Sequence, residues 1–381
     1  MIDIITGIGQ ITDQQLDQYR NRMDPLADEA VAALMEDKSL LKTLMQRLPE
    51  KDPGDLNAYP AAVRSFLEQT NQLPAWTDPK KLEVAHQLFL DHGPTMMMFL
   101  YYKSLPVLYA CQYMAKVIYQ TGRLAYNPED DLVFRKRIAE TSQFLVDVMG
   151  KDALKSGGIG IRAIQKVRLV HALVRHGLLK QDWDDQTYGM PVNQEDMAGT
   201  LMTFGIVISD ALARFGVYEP HYKHEAYSHL WSAVGALLGV NENLLPGNRS
   251  QAQYLFDRIV DRQAAYSKQG RALIQALIHF AKISMPNRFL KETPETLIRY
   301  LVGSSLSRKL GIDEPKGLIG NVFPGVMKMI ARHTENFKSS PLNWRQFLRN
   351  LTINVTAKMK EGMDETGVVI RITPEMEEAW K

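Results

Sequence analysis

Arg168-Leu-Val-His171-Ala-Leu-Val-Arg175 stands inside an apolar run and predicts a helix over about residues 162–180. An α-helix advances about 100° per residue, which sets Arg168 roughly 60° to one side of His171 and Arg175 roughly 40° to the other. One helix face therefore carries an imidazole between two permanent cations. Val167, Val170, Val174 and Leu178 form an adjoining apolar stripe, with His171 at its edge.

Such a face suits a flat, apolar, dianionic ligand bound to iron. Haem b meets that description, with the imidazole on the metal and arginines on the two propionates. The same octapeptide also accommodates a histidine satisfied within the fold and two arginines lying as a solvated flank on their stems. His171 and His176 are five residues apart and fall on different faces, so they are not the pair of a zinc helix.

Composition narrows the field. A chain of 381 residues allows one to three domains and a large core. Hydrophobic residues at 45% and charged residues at 23% are ordinary for a soluble protein. A net charge of +2 without a dense basic run excludes a nucleic-acid surface built on bulk charge. The single cysteine, Cys111, excludes an intramolecular disulfide and fits a reducing compartment. Residues Met1 to Gly9 lack the basic start of a signal or twin-arginine peptide. No stretch reaches the roughly 18 apolar residues of a membrane span; the longest, Met96 to Tyr119, is broken by Lys103, Ser104 and Pro106. A cytoplasmic protein is expected, with peripheral membrane contact left open.

Helical punctuation dominates the chain. Asp24-Pro25 and Asp78-Pro79 each offer an N-cap followed by proline at the first helical position. Asn193-Gln-Glu-Asp196 resembles a capping box opening a helix to about Phe215. Further helices are expected near residues 61–70, 95–120, 130–149, 222–238, 251–283, 294–310 and 343–360, and Gly367 to Thr373 reads as a short strand or an extended tail. The expectation is an all-α fold: an N-terminal helical extension over 1–70, one large domain over 71–311, and a helical segment over 312–381 packed on it.

Arg137-Ile-Ala-Glu140-Thr141 is the second notable cluster, since Arg137 and Thr141 share a helix face with Glu140 beside them. One reading is an exposed helix with Arg137 paired to Glu140 or Asp130. The other is a polar patch in an apolar pocket, able to orient dioxygen and move a proton. Met96-Met-Met-Phe-Leu-Tyr-Tyr102 reads as core or as the lining of an apolar channel, and Ser104-Leu-Pro106 should kink or restart its helix. Gly157-Gly-Ile-Gly160 lacks the lysine and hydroxyl of a phosphate loop and reads as tight backbone packing ahead of the His171 helix.

In order and spacing, these segments resemble the latex clearing protein (rubber oxygenase) family, which includes the side-chain-cleaving oxygenase of mycophenolic acid biosynthesis. The resemblance runs from about residue 73 to 246 and more faintly to 311. It rests on Leu73-Pro-Ala-Trp76 with Asp78; Leu88-Phe89-Leu-Asp-His92-Gly93; Ser104-Leu-Pro106; Thr121-Gly-Arg-Leu124; Arg137-x-x-Glu140-Thr141; Gly157-Gly-x-Gly160; Val167-Arg168-x-x-His171-Ala172-x-x-Arg175; Pro191-x-Asn193-Gln-Glu-Asp196-x-x-Gly199-Thr200; and Leu230-Trp231 leading to Leu238-Gly239-Val240. The resemblance implies a globin-related helical core holding haem b. It places His171 on the iron ligand, Arg168 and Arg175 on the flanking haem-supporting arginines, and Arg137 and Thr141 on the distal side. In rubber-cleaving members a lysine that can ligate iron occupies the position of Glu140. By resemblance the chain is an oxygenase acting with dioxygen on C=C bonds of an apolar unsaturated small molecule. A haem-based sensor or carrier, and a helical scaffold without a cofactor, are the two alternatives.

Overall fold

A computed structural model describes residues 11–48, 53–122, 124, 132–215, 217–283, 293–313 and 371–380. Helices dominate, and no strand occurs among the described residues, as the punctuation predicts. In chain order they are α1 (Asp13–Arg20), α2 (Pro25–Glu36), α3 (Lys38–Arg47), α4 (Ala61–Gln69), α5 (Pro79–Phe99), α6 (Leu105–Ala110), α7 (Gln112–Gln120), α8 (Leu132–Met149) and α9 (Ile159–Leu179). There follow α10 (Asp185–Tyr188), α11 (Gln194–Phe204), α12 (Ile206–Arg214), α13 (His221–Leu237), α14 (Arg249–Gln263), α15 (Lys268–Ile283), α16 (Thr293–Lys309) and α17 (Pro374–Ala379). The expected helix over 343–360, residues 367–370 and Asp130 lie outside the described residues, whereas 371–373 are irregular.

The chain divides into two compact units. The first comprises Met1–His86, Gln143–Leu201 and Glu225–Ile259. Its core joins Ala30, Val31 and Leu34 of α2 and Val63 and Phe66 of α4 to Leu169 and Ala172 of α9. Each large apolar side chain so buried contributes about 1.5–3 kcal/mol. The segment expected as an N-terminal extension thus shares a core with the His171 helix. Asp24 caps α2 by accepting from the Ala27 N–H, with Pro25 at the first position. At the start of α9 the glycine run works by close approach: a Cβ on Gly158 would lie 2.3 Å from the Ala153 carbonyl oxygen.

The second unit comprises Gln87–Ser142, Met202–His224 and Val260–Lys381. Met96, Met97, Met98, Phe99 and Leu100 are all buried here, which is the core reading of that run. The break at Ser104-Leu-Pro106 takes the form of a π-helical turn, Leu100–Ser104, after which α6 restarts with proline in its first turn. Such turns admit an extra residue and redirect the side chains that follow. α15 packs on α6 and α7, and α16 packs on α6 and the π turn.

The helix expected from Asn193 to Phe215 is two helices, broken at Gly205, whose ψ of −90° is not helical. Asn193 does cap it, accepting from the Asp196 N–H at 2.9 Å. By average hydropathy and length alone the Gln194–Arg214 stretch could pass for a membrane span. Its apolar window is 78% buried, so that composition serves a protein core.

Candidate functional site

α9 turns two different faces outward and inward. Its buried residues are Gly160, Ile161, Ala163, Ile164, Gln165, Arg168, Leu169, Ala172, Arg175 and Leu178. His171 lies off this face, half-buried, together with half-buried Val167, Val170 and Val174. The Nδ1 atom of His171 is itself shielded from solvent. The valine stripe beside His171 is therefore an apolar surface left partly open, while the two arginines point into the first unit's interior.

Both arginines meet acidic residues of α2 and its cap. Arg168 donates from Nε and Nη2 to the two carboxylate oxygens of Asp24, at 2.7 and 2.8 Å, and from Nη1 to the Leu237 carbonyl at 2.9 Å. Arg175, 1% exposed, donates from Nε to Asp28 at 2.7 Å and from Nη1 to the Val192 carbonyl at 3.2 Å. Its Nη2 is buried and has no acceptor among the described residues. Leaving such a donor unsatisfied costs about 1–3 kcal/mol. Burial raises the pKa of Asp28, and Arg175 beside it offsets only part of that shift.

Several motif segments that are scattered in the sequence converge on this brace. Gly239 has a φ of +84°, and a Cβ there would lie 2.6 Å from both Arg168 Nε and Asp24 Oδ2. Only glycine leaves room for the ion pair. Gln194 donates to the carbonyls of Met23 and Gly239, both at 2.9 Å, and accepts from the Asn241 N–H at 2.7 Å. Buried Glu195 and Asp196 face Arg20 at 3.5 and 3.2 Å. Nothing in the sequence marked Asp24, Asp28 or Arg20 for this role. Asp24 was legible only as a cap, because its partner lies 144 residues away.

The α8 trio belongs to the second unit. Arg137 Nη1 donates to Thr141 Oγ1 at 2.8 Å, and that hydroxyl donates back to the Arg137 carbonyl at 3.0 Å. The expected shared face is present, with Glu140 half-buried beside it. Next to the trio is a phenol cluster that the sequence reading took simply as core. Tyr101 and Ser142 share a hydrogen bond of 2.7 Å, and Tyr101 also donates to the Ile138 carbonyl at 3.3 Å. Burial pushes the Tyr101 and Tyr109 phenols well above the usual range, and the Arg137 cation opposes this at both. Lys103, in the π turn, is buried and donates to the Val207 carbonyl at 3.1 Å.

A second titratable cluster also went unassigned. Asp91, His92 and Glu219 present ligand atoms within 4.8 Å of one another. His92 Nε2 lies 2.7 Å from Glu219, and Lys223 lies 2.8 Å from Glu219 and 3.5 Å from Asp91. Burial alone would raise the Glu219 pKa, but Lys223 and His92 hold it below its usual value. Lys223 supplies a cation to both carboxylates.

A family model described as ER-bound oxygenase mpaB/B'/rubber oxygenase, catalytic domain, matches residues 127–332, more than half of the chain. The protein named rubber oxygenase from Streptomyces sp. (strain K30) is 26% identical over 260 residues, which are 67% of this chain and 62% of that protein. The chain therefore matches less than two thirds of that relative's length. The solved structure of latex clearing protein LCP in the closed state superposes with a TM-score of 0.73 at 21% identity, covering 89% of this chain and 90% of that one. That likeness gives the shared helical fold. On the family match, this chain belongs to the mpaB/B'/rubber oxygenase catalytic-domain family.

Proposed function

We propose that this chain is a haem b oxygenase, with His171 as iron ligand, that oxidises or cleaves a C=C bond of an apolar unsaturated small molecule of terpenoid or lipid type. The observation that carries the reading is the α9 face: a half-buried imidazole among three half-buried valines, backed by two buried arginines. These residues fit the group. The valines offer apolar contact to a macrocycle, and Arg175 holds α9 from its buried side through Asp28 and the Val192 carbonyl. Arg168 has its three nitrogens engaged with Asp24 and Leu237, so its part is to hold α9 in position.

Haem b, when bound, supplies the redox chemistry that activates dioxygen. The chain supplies the surroundings. Arg137 presents a cation to charge developing on oxygen, and Thr141 fixes that guanidinium on its own helix. Glu140 holds or moves a proton. By resemblance, rubber-cleaving members carry a lysine at this position, so Glu140 counts against the lysine-gated state and against rubber cleavage.

An absorption spectrum after haem supply tests the reading. The wild-type chain should show a Soret band, and His171→Ala should lose most of it while keeping its helical circular dichroism. A Soret band of wild-type intensity in the variant overturns the ligand assignment. Stable oxygen binding with no polyene-dependent oxygen consumption would instead make the protein a sensor or carrier.

A further inference from the structure

Asp91, His92 and Glu219 all belong to the second unit, and one imidazole nitrogen and two carboxylate oxygens lie there within 4.8 Å of one another. Two of the three are consecutive residues of α5, and the third comes from the segment just before α13. His92 Nε2 already meets Glu219 Oε1 at 2.7 Å. One turn earlier on α5, Gln87 donates to Asp91 Oδ1 at 2.9 Å, which leaves Oδ2 for the cluster. Outer hydrogen bonds of this kind commonly orient the carboxylates that ligate metals.

A second imidazole stands beside the three. His224 is 9% exposed, its ring lies against the backbone of Glu219, and its Nδ1 has no hydrogen-bond partner among the described residues. Buried polar atoms are nearly always satisfied, so a nitrogen left over next to a carboxylate cluster points to a missing partner. Burial lowers the His224 pKa against the pull of Glu219, which keeps the ring in the neutral form that metals bind. The cation now among these groups is Lys223, 2.8 Å from Glu219 and 3.5 Å from Asp91. An ammonium on a flexible stem has donors only and cannot take an imidazole lone pair. A divalent ion accepts carboxylate oxygen and imidazole nitrogen together.

We infer that Asp91, His92 and Glu219 bind a divalent transition-metal ion of zinc type, with the Lys223 ammonium displaced and His224 as the fourth ligand. Such an ion clips the Asp91–His92 turn of α5 to the Glu219 segment. The site does not depend on the haem reading.

Zinc ion alone, titrated calorimetrically into the untagged, chelator-treated full chain, tests the inference. His92→Ala and Glu219→Gln should each weaken binding at least about tenfold. Lys223→Met removes the competing ammonium and should tighten binding about fivefold, whereas a lysine with a purely structural part predicts no gain. Trp380 reports the position, because its Nε1 donates to the Leu90 carbonyl at 3.1 Å and its ring packs on Gly93. Cobalt(II) at the site should quench tryptophan fluorescence, and Trp380→Phe should remove most of that quench with zinc affinity unchanged. Full affinity in either ligand variant, no gain in Lys223→Met, or a quench that survives Trp380→Phe overturns the inference. Should His92→Ala fail to fold, the Glu219→Gln and Lys223→Met titrations decide it.

Discussion

Arg168 and Asp24 form a two-point ion pair, 2.7 and 2.8 Å, with side chains only 9% and 4% exposed. Removing one partner leaves the other charge buried, which costs about 3–5 kcal/mol. Asp24→Ala should therefore lower stability by that amount in urea denaturation, with part of the loss due to the α2 cap. Arg168→Lys should not restore the pair, because an ammonium cannot make both bonds. If Arg168→Met in the Asp24→Ala background adds a full further loss, the two residues are not coupled and the brace is misread.

That brace also shows where sequence reading stops. The helix follows from local spacing and is present, as is the Asp24 cap of α2, but the expected single face of imidazole and two cations is not, since both arginines lie on the buried face and His171 lies off it. Which way the cations point does not follow. Arg168 and Arg175 are drawn to the buried face by carboxylates contributed from α2 and its cap, and no periodicity within α9 encodes a partner so distant in the chain. The valine stripe was legible as apolar, yet the core-facing stripe is Ile161, Ile164, Leu169 and Ala172.

The open valine face makes a separable prediction. Val174 is half-buried, so Val174→Asp should change stability by about 1 kcal/mol or less. Its carboxylate would stand on the surface that the proposed haem would cover. Haem affinity, followed by Soret titration, should fall at least about tenfold, since burying an unpaired charge is costly. Unchanged affinity in a folded variant would show that haem does not lie on this side of α9.

His229 gives the pH dependence. Its Nε2 accepts from the Asp78 N–H at 2.9 Å at the start of α5, which requires a neutral ring. Burial, then the Lys81 charge, lowers its pKa below 6.5 against the opposing pull of Asp78. A folded pKa below the unfolded one means that the unfolded chain binds the proton first. The stability contribution is complete above pH 6.5 and is lost as pH falls through the folded value. Buried His224 is shifted the same way. Denaturation midpoints should thus be flat above neutrality and decline below it, and His229→Gln should shallow the decline. An identical slope in the variant would remove His229 from the effect.

Thr141 tests whether Arg137 must be tethered for the proposed reaction. Its hydroxyl accepts from Arg137 Nη1 and donates to the Arg137 carbonyl, so one side chain both orients the guanidinium and satisfies itself. Thr141→Val keeps the shape and removes both bonds, and at a half-buried position this should cost about 1 kcal/mol of stability. The guanidinium then loses one of its anchors, and misplaced electrostatic groups commonly cost about a hundredfold in rate. Oxygen-electrode assays with an accepted polyene should show kcat falling more than KM changes, because the tether matters when charge develops on oxygen. Thr141→Ser retains the hydroxyl and should recover most of the rate. A valine variant as fast as wild type would mean that Arg137 is held by its surroundings alone, and Thr141 would then leave the mechanism.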